Sequence, residues 1–134
     1  MEWNGFASLK FSGKTGWRAG DCWVKLEPMQ PQTRVGDRSY VPADSHNQPC
    51  CKHACTGPAE TGSPDIFVNG KAAVRVTDTG VHSHCCGANT WEAVQGSQSV
   101  IFNNLHTHRL GDKDEHCGGP GYMIDGSPDV LVGD

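Results

Sequence analysis

A chain of 134 residues and 14.4 kDa has room for one domain with one modest core. Only 36% of residues are apolar and 7% aromatic, beside 17 Gly and 8 Pro, which speaks against a long helical bundle, and no run approaches the roughly 18–20 apolar residues that span a bilayer. A net charge of −4 and a pI near 5.9 argue against a nucleic-acid binder held by phosphate contacts.

Met1-Glu2-Trp3-Asn4-Gly5 lacks the basic-then-apolar pattern of an export signal, so synthesis in the cytosol is expected. Residues 1–35 read as an N-terminal leader. Leu9-Lys10-Phe11 and Cys22-Trp23-Val24-Lys25-Leu26 alternate as short strands, with Gly13, Gly16 and Gly20 between them. Trp3, Trp17 and Trp23 are expected to pack there, and Cys22 has no metal-like neighbour and reads as structural. Pro28, Pro31 and Gln30-Pro31-Gln32-Thr33 read as a linker.

The rest of the chain repeats itself. Gly62-Ser63-Pro64-Asp65-Ile66-Phe67-Val68-Asn69 is echoed by Gly96-Ser97-Gln98-Ser99-Val100-Ile101-Phe102-Asn103 and by Gly126-Ser127-Pro128-Asp129-Val130-Leu131-Val132-Gly133, at spacings of 34 and 30. Each copy is a Gly-Ser turn followed by a short β-branched or aromatic strand. Arg75, Asp78 and His82 are matched by Arg109, Asp112 and His116. Units of this length share a core with their neighbours, and with no sustained helical periodicity the domain is expected to be all-β.

Seven Cys and seven His are the strongest compositional signal, and all but Cys22 lie between His46 and Cys117. With an odd Cys count and no export signal, a metal centre is favoured over a disulfide framework, with zinc ahead of iron. The His/Cys stretches are Cys50-Cys51-Lys52-His53-Ala54-Cys55 with His46 before it, His82-Ser83-His84-Cys85-Cys86, and His116-Cys117-Gly118-Gly119. Each precedes a Gly-Ser turn by a similar distance. Three β units around a pseudo-threefold axis would bring these stretches to one point, where one His per repeat and one Cys make a closed tetrahedral zinc site.

From Gly36 to the C-terminus, about three-quarters of the chain, the sequence resembles the PAAR-repeat proteins. The resemblance rests on Gly62 to Val76, on Arg109-Leu110-Gly111-Asp112, and on Cys117-Gly118-Gly119 before the last Gly-Ser strand. It implies that residues 36–134 form a small cone of β-hairpins, seated as one copy on the blunt end of a trimeric β-helical spike. Such tips sharpen type VI secretion systems and contractile phage-like tails for puncture of a target cell envelope. It also implies an apical zinc; carried over to this chain, the ligands are His53, His82, His116 and Cys117, with Cys86 as the alternative thiolate. Departures are Thr77-Asp78 in place of Gly-Asp, Asn103-Asn104 in place of Asn-Gly, and His106-Thr107-His108 before Arg109. Docking is expected through Ile66, Val68, Val100 and Phe102 or through the leader. A separate effector is an optional partner, and with no extension after Asp134 a fused toxin is not expected.

Two other classes compete with a mechanical tip. A small zinc hydrolase would need an open metal position and a base such as Asp112, Asp114 or Glu115, which read more simply as solvated turn carboxylates. A Cys55–His53 nucleophile pair finds no supporting motif, and no enzymatic activity is expected. A metal-storage or redox protein would use the vicinal pairs Cys50-Cys51 and Cys85-Cys86. His82-x-His84 and His106-x-His108 offer chelating pairs if they lie in strands, although His84, His106 and His108 are expected at the surface. Arg75 and Arg109 are expected to form structural ion pairs.

Overall fold

The computed structural model describes residues 29–46, 48, 52–82 and 89–134, preceded by the backbone of three dipeptide strands. All regular structure among these residues is β. In chain order the strands are β1 (Glu2–Trp3), β2 (Arg18–Ala19), β3 (Cys22–Trp23), β4 (Gln30–Pro31), β5 (Arg38–Asp44), β6 (His53–Pro58), β7 (Phe67–Val68) and β8 (Lys71–Ala72). They continue with β9 (Thr79–Val81), β10 (Thr90–Ala93), β11 (Ile101–Phe102), β12 (Leu105–His106), β13 (Lys113–His116), β14 (Gly119–Met123) and β15 (Leu131–Val132). In the leader, β2 pairs antiparallel with β3, and β1 lies parallel to β7. Leu9–Phe11, Val24–Leu26, Trp17 and the side chains of Trp3, Cys22 and Trp23 lie outside the described residues.

The Gly-Ser strands are too short to bury an apolar face alone, and three of them meet. β7–β8 and β11–β12 are two-residue hairpins turned by Asn69-Gly70 and Asn103-Asn104, whose positive φ of 55°, 78°, 57° and 65° suits Asn and Gly. The third hairpin is discontinuous: β15 pairs with β4, from the stretch that reads as a linker. Val68, Val100, Phe102, Val130 and Val132 from the three units bury together with Ala73, and Ile66 packs against them. The serines tie the units in a ring. Ser63 Oγ donates to Asn103 Oδ1, Ser97 Oγ to Gly133 O and Ser127 Oγ to Asn69 Oδ1, each at 2.6 Å.

Above this layer the backbone closes on itself. Thr33 N–H donates to His108 O, Val74 N–H to Thr33 O and His108 N–H to Val74 O, at 3.0–3.1 Å. The β-bridges Arg34↔Ala73, Arg75↔Thr107 and Arg109↔Gln32 run round the same cycle. This makes Arg34-Val35-Gly36-Asp37 a third copy of the Arg-x-x-Asp turn, and the pseudo-threefold axis is real. In each turn the aspartate accepts from the arginine backbone N–H and from its side-chain Nε and Nη2, at 2.8–3.1 Å. The ion pairs of Arg75 and Arg109 are thus with Asp78 and Asp112 of their own turns; across repeats Arg75 donates to Asn103 Oδ1, and Arg109 lies 3.5 Å from Asp134. Asp112, expected to be solvated, is buried as a result.

The other end is a six-stranded antiparallel sheet in the order β6-β5-β14-β13-β10-β9, made of one hairpin per repeat. Its outer strands meet through the bridge Ala59↔Gly80, so the sheet curls towards closure. Ala59, Ala93 and Met123, at matching positions, fill it together with Val74 and Trp91. Register places the described ends of all three hairpins, at residues 45–46 and 52, 82 and 89, and 117–118, away from the Gly-Ser strands.

Candidate metal centre

The described ends of the hairpins carry His46, His82, His116 and Cys117, and curling of the sheet brings them together. β5 bulges between Val41 and Asp44, which sends Asp44 inside. His46 then adopts φ 53°, held by its N–H donating to Asp44 Oδ1 at 2.7 Å. Cys55 reaches the same interior from β6, two residues after His53, since alternate strand residues share a face. His82 directly follows β9, while His116 ends β13 and is followed by Cys117.

Asp44, His46, Cys55 and His82 are all buried, and one donor atom from each lies within 4.8 Å of the others. Cys55 Sγ is 3.4 Å from His46 Nε2, and His82 Nε2 is 3.5 Å from Asp44 Oδ2. A tetrahedral zinc with bonds of about 2.0–2.3 Å spaces its ligand atoms about 3.3–3.8 Å apart, and these two contacts match that spacing. The described residues give buried Asp44 no Lys or Arg partner, only the His46 N–H, imidazoles and a thiol. A buried carboxylate without fixed positive charge is costly, and a bound cation removes that cost. These four residues can hold a metal ion.

The four ligands that the resemblance implies surround this group to different degrees. His82 belongs to it. His116 is buried, with Nδ1 2.6 Å from His82 Nδ1 and 3.9 Å from Asp44 Oδ2. Cys117 is partly buried, with Sγ 3.7 Å from Asp44 Oδ2, 3.8 Å from His82 Nε2 and 3.9 Å from His46 Nδ1. His53 is half-buried, with Nδ1 3.5 Å from Cys55 Sγ and its ring 4.9 Å from that of His46. Cys86 lies outside the described residues, as do Cys50, Cys51, His84 and Cys85. Burial, with the negative charge of Asp44 nearby, raises the pKa of the Cys117 thiol, so a cation bound there would displace its proton.

Sequence reasoning passed over Asp44 and His46 as ligands. His82 and His116 each follow their repeat's arginine by seven residues, but seven after Arg34 stands Val41, and the bulge beyond it delivers Asp44 and His46 instead. The expected surface position holds for His106, which is exposed, but fails for His108, which is fully buried and 2.6 Å from Gln95 O. With one imidazole exposed and the other buried, the two share no face and offer no chelate. Asp114, expected to be solvated, is buried as well, whereas Glu115 is exposed.

Comparison with protein families and with curated proteins returns no match for this chain.

Proposed function

We propose that this protein is a metal-stiffened tip on the trimeric β-helical spike of a contractile injection machine, with zinc as the metal. The observation that carries the reading is the convergence of three hairpin tips, one from each unit of a closed pseudo-threefold ring, on the buried group Asp44, His46, Cys55 and His82. Thiol, imidazole and carboxylate donors gathered within 4.8 Å of one another suit zinc, and iron is the less favoured occupant. Short tips bury little apolar surface, and coordination offsets their ordering entropy, so the end resists splaying under load. The role is mechanical and needs no turnover.

The threefold also supports the partner. A single chain with three equivalent units offers each subunit of a trimer a similar edge, which a chain without internal symmetry cannot do. Of the apolar residues expected at the interface, Val68, Val100 and Phe102 are core and Ile66 packs against it; the outward residues of the same strands are instead Ile101, 51% exposed, and its counterparts Phe67 and Leu131, half-buried. The proposed seat is therefore the end opposite the tips, edged by these outward residues. On this reading the chain is made in the cytosol, joins the spike and crosses the target envelope with it, with or without a separate effector.

Native mass spectrometry of the full chain mixed with its cognate spike trimer tests this. One copy per trimer is expected, with binding weakened at least tenfold by Ile101→Asp. Three copies per trimer, or no complex, would overturn the reading.

A further inference from the structure

His82 offers its two ring nitrogens to different surroundings. Nε2 faces Asp44 and Cys117, on the side of the donor group. Nδ1 lies 2.6 Å from Nδ1 of His116, with ring centroids 4.8 Å apart and ring planes 6° from parallel. Rings stacked face over face cannot bring atoms this close, since their surfaces stop at about 3.5 Å. The two imidazoles therefore meet edge to edge in nearly one plane, as an N–H···N hydrogen bond requires. Such a contact is attractive only if one nitrogen carries the proton and the other offers its lone pair.

The far side of His116 decides which is which. Its Nε2 is 2.9 Å from Asp114 Oδ1 and 2.8 Å from Ser39 Oγ. The Ser39 hydroxyl spends its own hydrogen on the same carboxylate oxygen, at 2.8 Å, so both neighbours of Nε2 act as acceptors. The His116 proton then belongs on Nε2, and Nδ1 is left as an acceptor. His82 Nδ1 must donate to it, which leaves the lone pair of His82 Nε2 directed at Asp44 and Cys117. The side chains of His82, His116 and Asp114 are all fully buried, so water does not compete for these bonds.

The other oxygen of Asp114, Oδ2, has no hydrogen-bond partner among the described residues and faces His108 Nε2, likewise without one among them, across 4.0 Å. His108 Nδ1 donates to Gln95 O at 2.6 Å, so its Nε2 is a second acceptor. Two buried acceptors at that separation call for a donor between them, and one water giving a hydrogen to each satisfies both.

We propose that His116 and Asp114 are positioning residues behind the metal centre, a carboxylate–imidazole relay that fixes His82 in the tautomer binding the cation through Nε2. The proposal rests on the metal-centre reading and gives His116 a task other than direct ligation, which the resemblance implies. Outer partners of this kind typically change metal affinity about 10–100-fold.

Loading the full chain with cadmium-113 and recording heteronuclear NMR tests it. Scalar coupling from the metal is expected at His46, Cys55 and His82, with none at His116, whose ring should carry its proton on Nε2. Asp114→Asn should weaken cadmium and zinc binding at least tenfold while leaving the same couplings in place. Metal coupling at His116, a proton on its Nδ1, or unchanged affinity in Asp114→Asn overturns the relay. If that variant does not fold, the couplings and tautomer of the unaltered protein decide alone. An unaltered protein that binds neither metal removes the centre and the relay together, which separates the two failures.

Discussion

Position 77 holds the single threonine in a triplet of left-handed turns. Gly36, Thr77 and Gly111 occupy matching places with φ of 98°, 84° and 85°, and their N–H groups donate to Ala59, Ala93 and Met123 carbonyls, each at 2.9 Å. A Cβ at Gly36 or Gly111 would meet nothing within 4 Å, so the cost at Thr77 is in the backbone, about 1–2 kcal/mol for a left-handed residue. Thr77→Gly should stabilise the protein by roughly 1 kcal/mol, after its larger unfolded-state entropy is deducted. Thermal unfolding checks this: a rise of a few degrees is expected, and a fall would mean that the threonine side chain holds something in place. Both this departure and Asn103-Asn104 were legible from sequence, because positive φ restricts residue type. Asp44 was not, since one carboxylate before a bulge has no periodic signature. His46 stood beside the Cys-rich stretch, but only the bulge shows that it turns inward.

The three Gly-Ser elements are joined by side chains whose strength depends on charge. Asn103 Nδ2 donates to Asp65 at 2.9 Å and Asn69 Nδ2 to Asp129 at 2.8 Å, and these bonds, with those from Ser63 and Ser127, hold both carboxyls below the usual range. A carboxyl with a depressed folded pKa adds stability above its unfolded pKa, near 3.9, and loses it as pH falls through the folded value. The stability difference between the unaltered protein and Asp65→Asn/Asp129→Asn should therefore be constant from pH 7 to about 4.5 and shrink below pH 4. Measuring the difference cancels metal loss, which acid causes in both. A gap that does not change with pH would mean that the ring gains nothing from carboxylate charge. At this scale the sequence showed the Gly-Ser strands and their turns plainly. It hid the first Arg-x-x-Asp turn and β4, because β15, the other half of that unit, lies at the opposite end of the body and Gln30-Pro31 on its own looks like a linker.

For the molecule as a whole, the candidate metal centre and the axial ring stand at different levels of the fold. Stripping the metal with a chelator should lower the Tm by at least about ten degrees, given the large folding contribution of structural zinc. Hydrogen exchange should place the damage: amides at the tips, such as Ser45 and Cys117, lose protection first, while Thr33, Val74 and His108 exchange only with global unfolding. Equal loss at both ends would show that tips and ring form one cooperative unit. The pseudo-threefold was legible because repeats that cannot bury themselves must share a core; the closure of the cycle was not, because it joins the first and last strands of the body. That closure also governs how the protein is made. The Thr33–His108 bond must wait for residue 108 and the β4–β15 pair for the last strand to leave the ribosome, and every unit depends on its neighbours on both sides. Folding is then late, governed by contacts distant in sequence, and slow for so small a chain. While it waits, the nascent protein holds its thiols and imidazoles open, at the stage when a metal ion can enter most easily.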